Sequence, residues 1–381
     1  MIKLISEHGF DGFPDAMRIL MNEAMKAERS QALNAGPYER NPERRGYANG
    51  FKDKTMQTRV GPVKISIPQV RGLEFYPKSL ERGSRSERAL KNTIAEMYLK
   101  GVSTRKVSKV MERLCGFEVT STQVSRAAKM LDDELESWRN RSLEDMAVPY
   151  LVLDARYEKV RHGGTVVPCA VLIASGVQGD GKRTILGVSV SLSEAEIHWR
   201  EFLKSLQKRG LHGVQYIVSD DHKGLTSAVQ SRFTNVPWQR CQFHLQQNAG
   251  RYVPKVHMRA AVAQKLRDVF DAPDKQEAER RLNLAVTYYK DKAPNLSDWM
   301  ENNVPEGFTV FDLPPTHRKR MRTTNALENI NRQIKRRTKV ASLFPNEASL
   351  LRLVSALLME WDEEFVTGRT YLKMNFEESS L

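Results

Sequence analysis

From residue 148 onward, short apolar runs and amphipathic stretches follow one another in an order that few architectures accept. YLVLDARYEKV, TVVPCAVLIASG and RTILGVSVS are rich in branched apolar residues and read as three consecutive strands. An amphipathic helix over 194–209 comes next, with Trp199, Phe202, Leu203 and Leu206 facing inward. VQYIVSD reads as a fourth strand, 223–233 as a helix, and PWQRCQFH as a fifth strand running into another helix. That order implies a three-strand meander joined to a crossover half, hence an α/β fold with a mixed sheet. The run Val214 to Val218 suits a strand buried on both faces.

Two acids stand where apolar strands give out: Asp154 after Tyr150–Leu153, and Asp220 after Tyr216–Ser219. Asp221 adjoins Asp220, which is the nearer to the strand and the preferred candidate. The carboxyl ends of neighbouring strands in an α/β sheet converge on one crevice. A third acid, Glu328, lies on a helix expected to begin near Thr323, NALENINRQIKRRTKV, whose Leu327, Ile330 and Ile334 face a core. Between Thr316 and Lys339 it is the single acid among nine Lys and Arg residues. Three carboxylates make an all-oxygen site suited to Mg²⁺ or Mn²⁺. Two such ions about 3.5–4 Å apart serve phosphodiester displacement. Arg318, Lys319, Arg320, Arg322, Arg332, Lys335, Arg336 and Arg337 then become candidate contacts to a DNA backbone. Cys241 and His244 form a C-x-x-H pair without an evident second pair for zinc, so a buried hydrogen-bonding role near Asp220 is expected.

The N-terminal third has a different pattern. Residues 11–33 read as a helix. A basic stretch with Tyr38, Tyr47 and Phe51 follows, then a hairpin turning at Gly61-Pro62. Residues 86–131 hold three short helical patterns, the second capped by Ser103 and the third by Thr120 or Ser121. Such a trio suggests a helix-turn-helix, with Gln123, Arg126 and Lys129 on the outer face of the third helix as DNA contacts.

Sixty Lys and Arg against 46 Asp and Glu give a net charge of +14, which favours a polyanionic partner. No apolar run approaches the roughly 18 residues of a membrane span, and the first residues lack a signal-peptide pattern. Three scattered cysteines argue against a disulfide framework and fit a reducing compartment.

Six ordered blocks carry a resemblance: ERRGYANGFKDKTMQTRVGPVKISIPQVRG, MYLKGVSTRKVSKVMERLCG, YLVLDARYEKVR, VSDDHKGL, WQRCQFH, and RTTNALENINRQIKRRTKV with LFPNEASLLRLV. In these the chain resembles the Mutator-type DDE transposases of bacterial insertion sequences. The resemblance implies a ribonuclease H-like core with a helical insertion before the glutamate helix. It sets the catalytic triad on Asp154, Asp220 and Glu328, with Mg²⁺ as the cofactor, and matches the family's C-x-x-H signature to Cys241 and His244. It further implies double-stranded DNA as partner (terminal inverted repeats and target), a homodimer or higher oligomer on DNA, and a cytoplasmic, nucleoid-associated location. At His317 the following residue is Arg318 where an aromatic is expected, which leaves the DNA contact there open. The expected domains are a helix and hairpin module at 1–85, a helix-turn-helix at 86–140, a first core segment at 146–250, a helical insertion at 251–315, a second core segment at 316–365 and a tail at 366–381. Two rivals are a nuclease that cuts without joining and a silent, transposase-derived DNA-binding protein.

Overall fold

The computed structural model describes residues 6–80, 82, 86, 88–99, 102–341 and 343–374. The chain divides into two compact units, Met1–Leu131 and Asp132–Leu381.

In the first unit α1 (Phe13–Leu33) ends where Asn34 turns left-handed, its N–H returning to the Gln31 and Ser30 carbonyls. Strands β1 (Tyr47–Thr58) and β2 (Gly61–Arg71) pair antiparallel with Thr58 opposite Gly61. The reversal therefore falls on Arg59 and Val60, two residues before the Gly61-Pro62 expected from sequence. The Thr58 hydroxyl closes it by donating to the Gly61 carbonyl at 2.7 Å, and Gly61 takes a φ of 106° that a side chain would resist. Val63, Ile65 and Ile67 point from β2 onto a small core with Met25 and Leu80. Three helices follow: α2 (Arg88–Leu99), α3 (Thr104–Cys115) and α4 (Ser121–Lys129). Ser103 caps α3, and Thr120 with Gln123 forms a reciprocal capping box on α4. Their apolar faces share a core of Leu90, Ile94, Val107, Met111, Val124 and Ala127.

The second unit opens with α5 (Asp132–Arg139), which the sequence reading had grouped with the preceding helices. Arg352 of the last helix grips Asp132 through both carboxylate oxygens, at 2.5 and 2.8 Å. Strands β3 (Tyr150–His162), β4 (Thr165–Val177), β5 (Arg183–Ser191), β6 (Tyr216–Ser219) and β7 (Trp238–Arg240) form one sheet in the order β5-β4-β3-β6-β7. The first three are antiparallel, turned at Gly163-Gly164 between β3 and β4, and β6 and β7 run parallel to β3. Helix α6 (Glu196–Lys208) makes the crossover and buries Trp199, Phe202, Leu203 and Leu206 against Leu151, Leu153, Leu172, Leu186 and Ile217. Helices α7 (Lys223–Arg232) and α8 (Gln242–Ala249) follow β6 and β7.

Residues 251–315 contain three helices and short 3-10 turns, and no strand is found among them: α9 (Arg259–Phe270), α10 (Lys275–Tyr289) and α11 (Pro294–Asn303). Then come α12 (Pro315–Met321), α13 (Asn325–Ala341) and α14 (Glu347–Thr367). The tail expected from 366 is partly anchored: Tyr371 and Leu372 donate backbone N–H groups to the Gly181 carbonyl, and Leu372 is buried. Residues 375–381 of that tail lie outside the described residues. None of the described helices is long and apolar enough to cross a membrane.

Asp362 on α14 fastens three parts of this unit. Its carboxylate accepts from Trp138 Nε1 (3.2 Å), Arg141 Nη2 (2.8 Å), Thr184 Oγ1 (2.8 Å) and the Ile185 N–H (2.7 Å). Asp362→Ala strands a partly buried guanidinium and two buried donors, so it should cost about 3–5 kcal/mol. Chemical denaturation should show that loss, with Asp362→Asn losing less. An alanine variant within about 1 kcal/mol of the parent would overturn this account.

Candidate active site

The pairing of β3 with β6 aligns Tyr150, Leu151 and Val152 with Tyr216, Ile217 and Val218. Continued two residues, that register sets Asp154 opposite Asp220. Asp154 is not at the end of its strand, as the sequence suggested, because β4 continues to pair with β3 as far as His162. It stands instead where the parallel partner stops. Asp220 occupies the turn after β6, which is fixed by the Cys241 N–H on the Ser219 carbonyl and Trp238 Nε1 on the Ser219 hydroxyl. The adjacent Asp221 is held by Arg240, a buried guanidinium 3.0 Å away that also binds Glu306 at 2.7 Å. Asp220 has His244 Nδ1 at 3.7 Å and adds its charge to the field on Asp154.

Glu328 sits in the first turn of α13. That turn begins at the buried Thr324, whose N–H and hydroxyl both donate to Cys241 Sγ, at 3.4 and 3.5 Å. The C-x-x-H pair thus has two tasks. Cys241 ties the start of α8 to the start of α13, and His244, one turn on, faces the acids. Alternate β3 side chains meet the same helix. Asp154 Oδ2 accepts from Asn331 Nδ2 at 2.7 Å, Arg156 Nη1 donates to the Asn331 carbonyl, and Glu158 accepts from Thr338 at 2.9 Å. Sequence reasoning gave Asn331 no role and did not single out Arg156 or Glu158. The signal was present in the alternation Asp154, Arg156, Glu158 and in the E-x-x-N spacing on the helix.

Burial pushes the Asp154 carboxyl up to about 7. His244 and the Ala155 N–H oppose that rise, while Asp220 and Glu328 add to it. Burial likewise raises Glu328, against the pull of His244 and Arg332. For His244 burial favours the neutral ring, but Cys241, Asp220 and Asp154 outweigh it and raise the imidazole to about 9. The site therefore combines three mutually repelling acids with one cation.

No three His, Cys, Asp or Glu side chains among the described residues already stand as a coordination sphere. Repulsion explains this, since each aspartate turns to a protein donor: Asp154 to Asn331 and Ala155, Asp220 to the Asp221 N–H. The donor chemistry nevertheless fits a hard divalent cation. Two oxygens, Glu328 Oε1 and Asn331 Oδ1, are buried with no hydrogen-bond partner. An unmet buried acceptor costs about 1–3 kcal/mol, and a cation would relieve it.

The basic residues separate into two groups. Arg318 donates to the carbonyls of Leu313, Pro273 and Phe311, and Arg322 pairs with Asp271 at 2.5 Å. Both guanidiniums bond to protein groups. The fold delivers the partners that the local sequence lacks. Arg320 lies over the Tyr371 ring at 4.9 Å yet is exposed. Lys319, Arg332, Lys335 and Arg336 are exposed and Arg337 is half-buried. In the first unit Arg126 and Lys129 are exposed on α4, while the Gln123 carbonyl oxygen is committed to its cap. His317 is fully buried between the Tyr150 hydroxyl (2.7 Å) and the Lys373 carbonyl (2.8 Å), so it supports the fold and touches no external partner.

The shifts at Asp154 and His244 act on stability in the same direction. Asp154 rises from 3.8 to about 7, so ionising it in the folded protein is a penalty that develops between those values. His244 rises from 6.5 to about 9, so its contribution is complete below 6.5 and lost as pH climbs through 9. The metal-free protein should therefore lose stability steadily from pH 4 to 9. Asp154→Asn should remove the lower part of that slope and His244→Gln the upper part. Melting temperatures across this range test the claim, and variants with the parent's slope would refute it.

The family described as "Transposase, Mutator family" matches residues 3–368. The transposase for insertion sequence element IS406 of Burkholderia multivorans is 55% identical, over 97% of this chain and 95% of its own length. That for ISRM5 of Rhizobium meliloti is 42% identical over 96% and 91%. The transposase for IS256 in transposon Tn4001 of Staphylococcus aureus is 35% identical over 94% and 92%. Among solved structures, a chain from the simian T-cell lymphotropic virus intasome complex aligns with 46% of this chain and 59% of its own. Its TM-score of 0.18 and 9% identity are too low to bear on the fold. With a family match across nearly the whole sequence and relatives aligned over almost their full lengths, this chain belongs to the Mutator family of transposases.

Proposed function

We propose that this transposase binds the terminal inverted repeats of its insertion sequence, cleaves the DNA ends and joins them to target DNA. Asp154, Asp220 and Glu328 are its catalytic residues and the ligands of two Mg²⁺ ions, for which Mn²⁺ can substitute. The observation that carries this reading is the meeting of Asp154, Asp220 and Glu328 in one field, with a Glu328 oxygen buried and unpartnered. The strand order β5-β4-β3-β6-β7, antiparallel then parallel, supports a ribonuclease H-like core. The capped α3–α4 pair supports a helix-turn-helix, with Arg126 and Lys129 toward the DNA.

Divalent ions bound there supply activation of the attacking hydroxyl and stabilisation of the leaving oxygen. The protein's own part is to hold and orient. Asp154 gives up its proton as the site loads, which its position near neutrality makes inexpensive. Exposed Arg332, Lys335 and Arg336, on the helix that carries Glu328, hold flanking phosphates. The active species is a dimer or larger assembly on DNA.

Asp154→Asn, Asp220→Asn and Glu328→Gln should each abolish cleavage and joining while repeat binding persists, because removing a carboxylate does not weaken attraction to phosphate. Asp221→Asn should stay active. An inactive Asp221→Asn beside an active Asp220→Asn would move the second ligand by one residue. Cleavage without joined products, given 3′-hydroxyl ends and a target, would make the protein a nuclease.

Each of Arg332, Lys335 and Arg336 that neutralises a phosphate contributes about 0.9 to the slope of log affinity against log salt. Replacing all three with Ala should flatten that slope by up to about 3 units, equally for repeat and unrelated duplexes. Arg318→Ala, whose guanidinium is spent on carbonyls, should leave the slope unchanged and lower stability instead. The same salt series on both DNAs decides; an unaltered slope in the triple variant would make this face merely solvated.

A further inference from the structure

Of the six buried side-chain atoms without a hydrogen-bond partner among the described residues, three belong to this site: His244 Nδ1, Glu328 Oε1 and Asn331 Oδ1. The histidine nitrogen belongs to a ring held cationic by its neighbours, and the glutamate oxygen is part of the triad. The amide oxygen has no such explanation. Asn331 lies three residues after Glu328 on α13, so the two side chains share one face of the helix.

The orientation of the amide is not free. Asp154 Oδ2 lies 2.7 Å from Asn331 Nδ2, and a carboxylate oxygen requires the NH₂ end of the amide to face it. That contact leaves Oδ1 as the end without a partner. The backbone beneath is also fixed, because Arg156, two residues after Asp154, donates to the Asn331 carbonyl while pairing with Glu158 at 2.5 Å. A rigidly mounted neutral oxygen thus shares a site with three carboxylates. Asn carbonyls are regular oxygen ligands of hard divalent cations, where they add a donor without adding charge.

We propose that Asn331 is a further ligand of the metal site. Helix α13 supplies two oxygen donors, Glu328 and Asn331, while the Asn331 NH₂ group orients Asp154 for the same cation. The inference rests on the reading that the Asp154, Asp220 and Glu328 carboxylates bind a divalent ion. It goes beyond that reading by assigning a fourth side chain and explaining why the fourth is an amide. A fourth carboxylate in contact with Asp154 would add repulsion to a group already burdened by burial and two like charges.

The test is Mn²⁺ binding to the full-length protein without DNA, followed by the spectroscopic signal of free Mn²⁺ and by metal-dependent thermal stabilisation. The parent should bind Mn²⁺, and Asp154→Asn should not; if the parent shows no Asp154-dependent binding, the carboxylate reading itself fails. Given that binding, Asn331→Ala should weaken Mn²⁺ affinity about 10-fold or more. Asn331→Asp keeps an oxygen at the position and adds charge. It should melt lower than the parent without metal, yet bind Mn²⁺ at least as tightly and show a larger metal-induced rise in melting temperature. Parent-like affinity in Asn331→Ala would overturn the proposal. So would Asn331→Asp binding as weakly as Asn331→Ala, since the amide would then act only as a donor to Asp154. If the alanine variant does not fold, the aspartate variant is read against the parent: Mn²⁺ binding at least as tight supports the proposal, and binding about 10-fold weaker overturns it.

Discussion

The seam between β3 and α13 is the contact on which the site depends. Asp154, Arg156 and Glu158 leave the same face of one strand and reach Asn331, the Asn331 carbonyl and Thr338 along one face of one helix. A strand repeats every two residues at about 6.6 Å and a helix every turn at about 5.4 Å, so the two rows match closely enough to interlock. Because the seam consists of charged and amide groups, sliding the helix by a turn would leave several buried partners unmet. A purely apolar seam would tolerate such a slip at lower cost. The separation between the aspartates and Glu328 is therefore fixed by polar contacts lying just beyond the acids themselves.

A second set of contacts fixes the approach to that helix. Tyr150 and Tyr216 are direct partners in the β3–β6 register, with rings 5.9 Å apart edge to face. One hydroxyl bonds His317 and the other donates to the Met321 carbonyl, so both hold α12. Beyond α12 the Gln242 N–H reaches the Arg322 carbonyl, and Cys241 accepts from Thr324. The chain between the helical insertion and Glu328 is thereby bound at four successive points, two on the sheet and two at the start of α8. Each is a hydrogen bond from a residue with no direct part in phosphodiester chemistry.

The electrostatic cost of the arrangement is visible in the site. Burial and mutual repulsion raise Asp154 and burial raises Glu328, while His244 is held protonated among them. A cluster of buried acids built this way is less stable than an apolar cluster of similar volume would be. The unit bears that cost on a large apolar core across the opposite face of the sheet, where Leu151, Leu153 and Leu172 meet the α6 side chains.

Much of this was legible in the sequence, for reasons that can be named. Strand order, helix caps at Ser103 and Thr120, the inward face of α6 and the three acids all follow from local periodicity and hydrogen-bonding chemistry, which a chain carries wherever it folds. The two-residue turn at Arg59 and Val60 was missed because a threonine hydroxyl closes it without Pro or Gly at its centre. The strand read over 150–160 runs on to His162, its second half paired with β4 and bridged at Val160 to Phe344, a contact from far along the chain. Only tertiary structure decided which arginines are free, because Arg318 and Arg322 meet carbonyls and a carboxylate from segments about 5 to 50 residues away. It also paired Asp221 with Arg240, and gave Asn331 its place beside Asp154 from 177 residues down the chain. Sequence determines what each segment prefers to be; which polar groups then satisfy one another depends on contacts that no local pattern encodes.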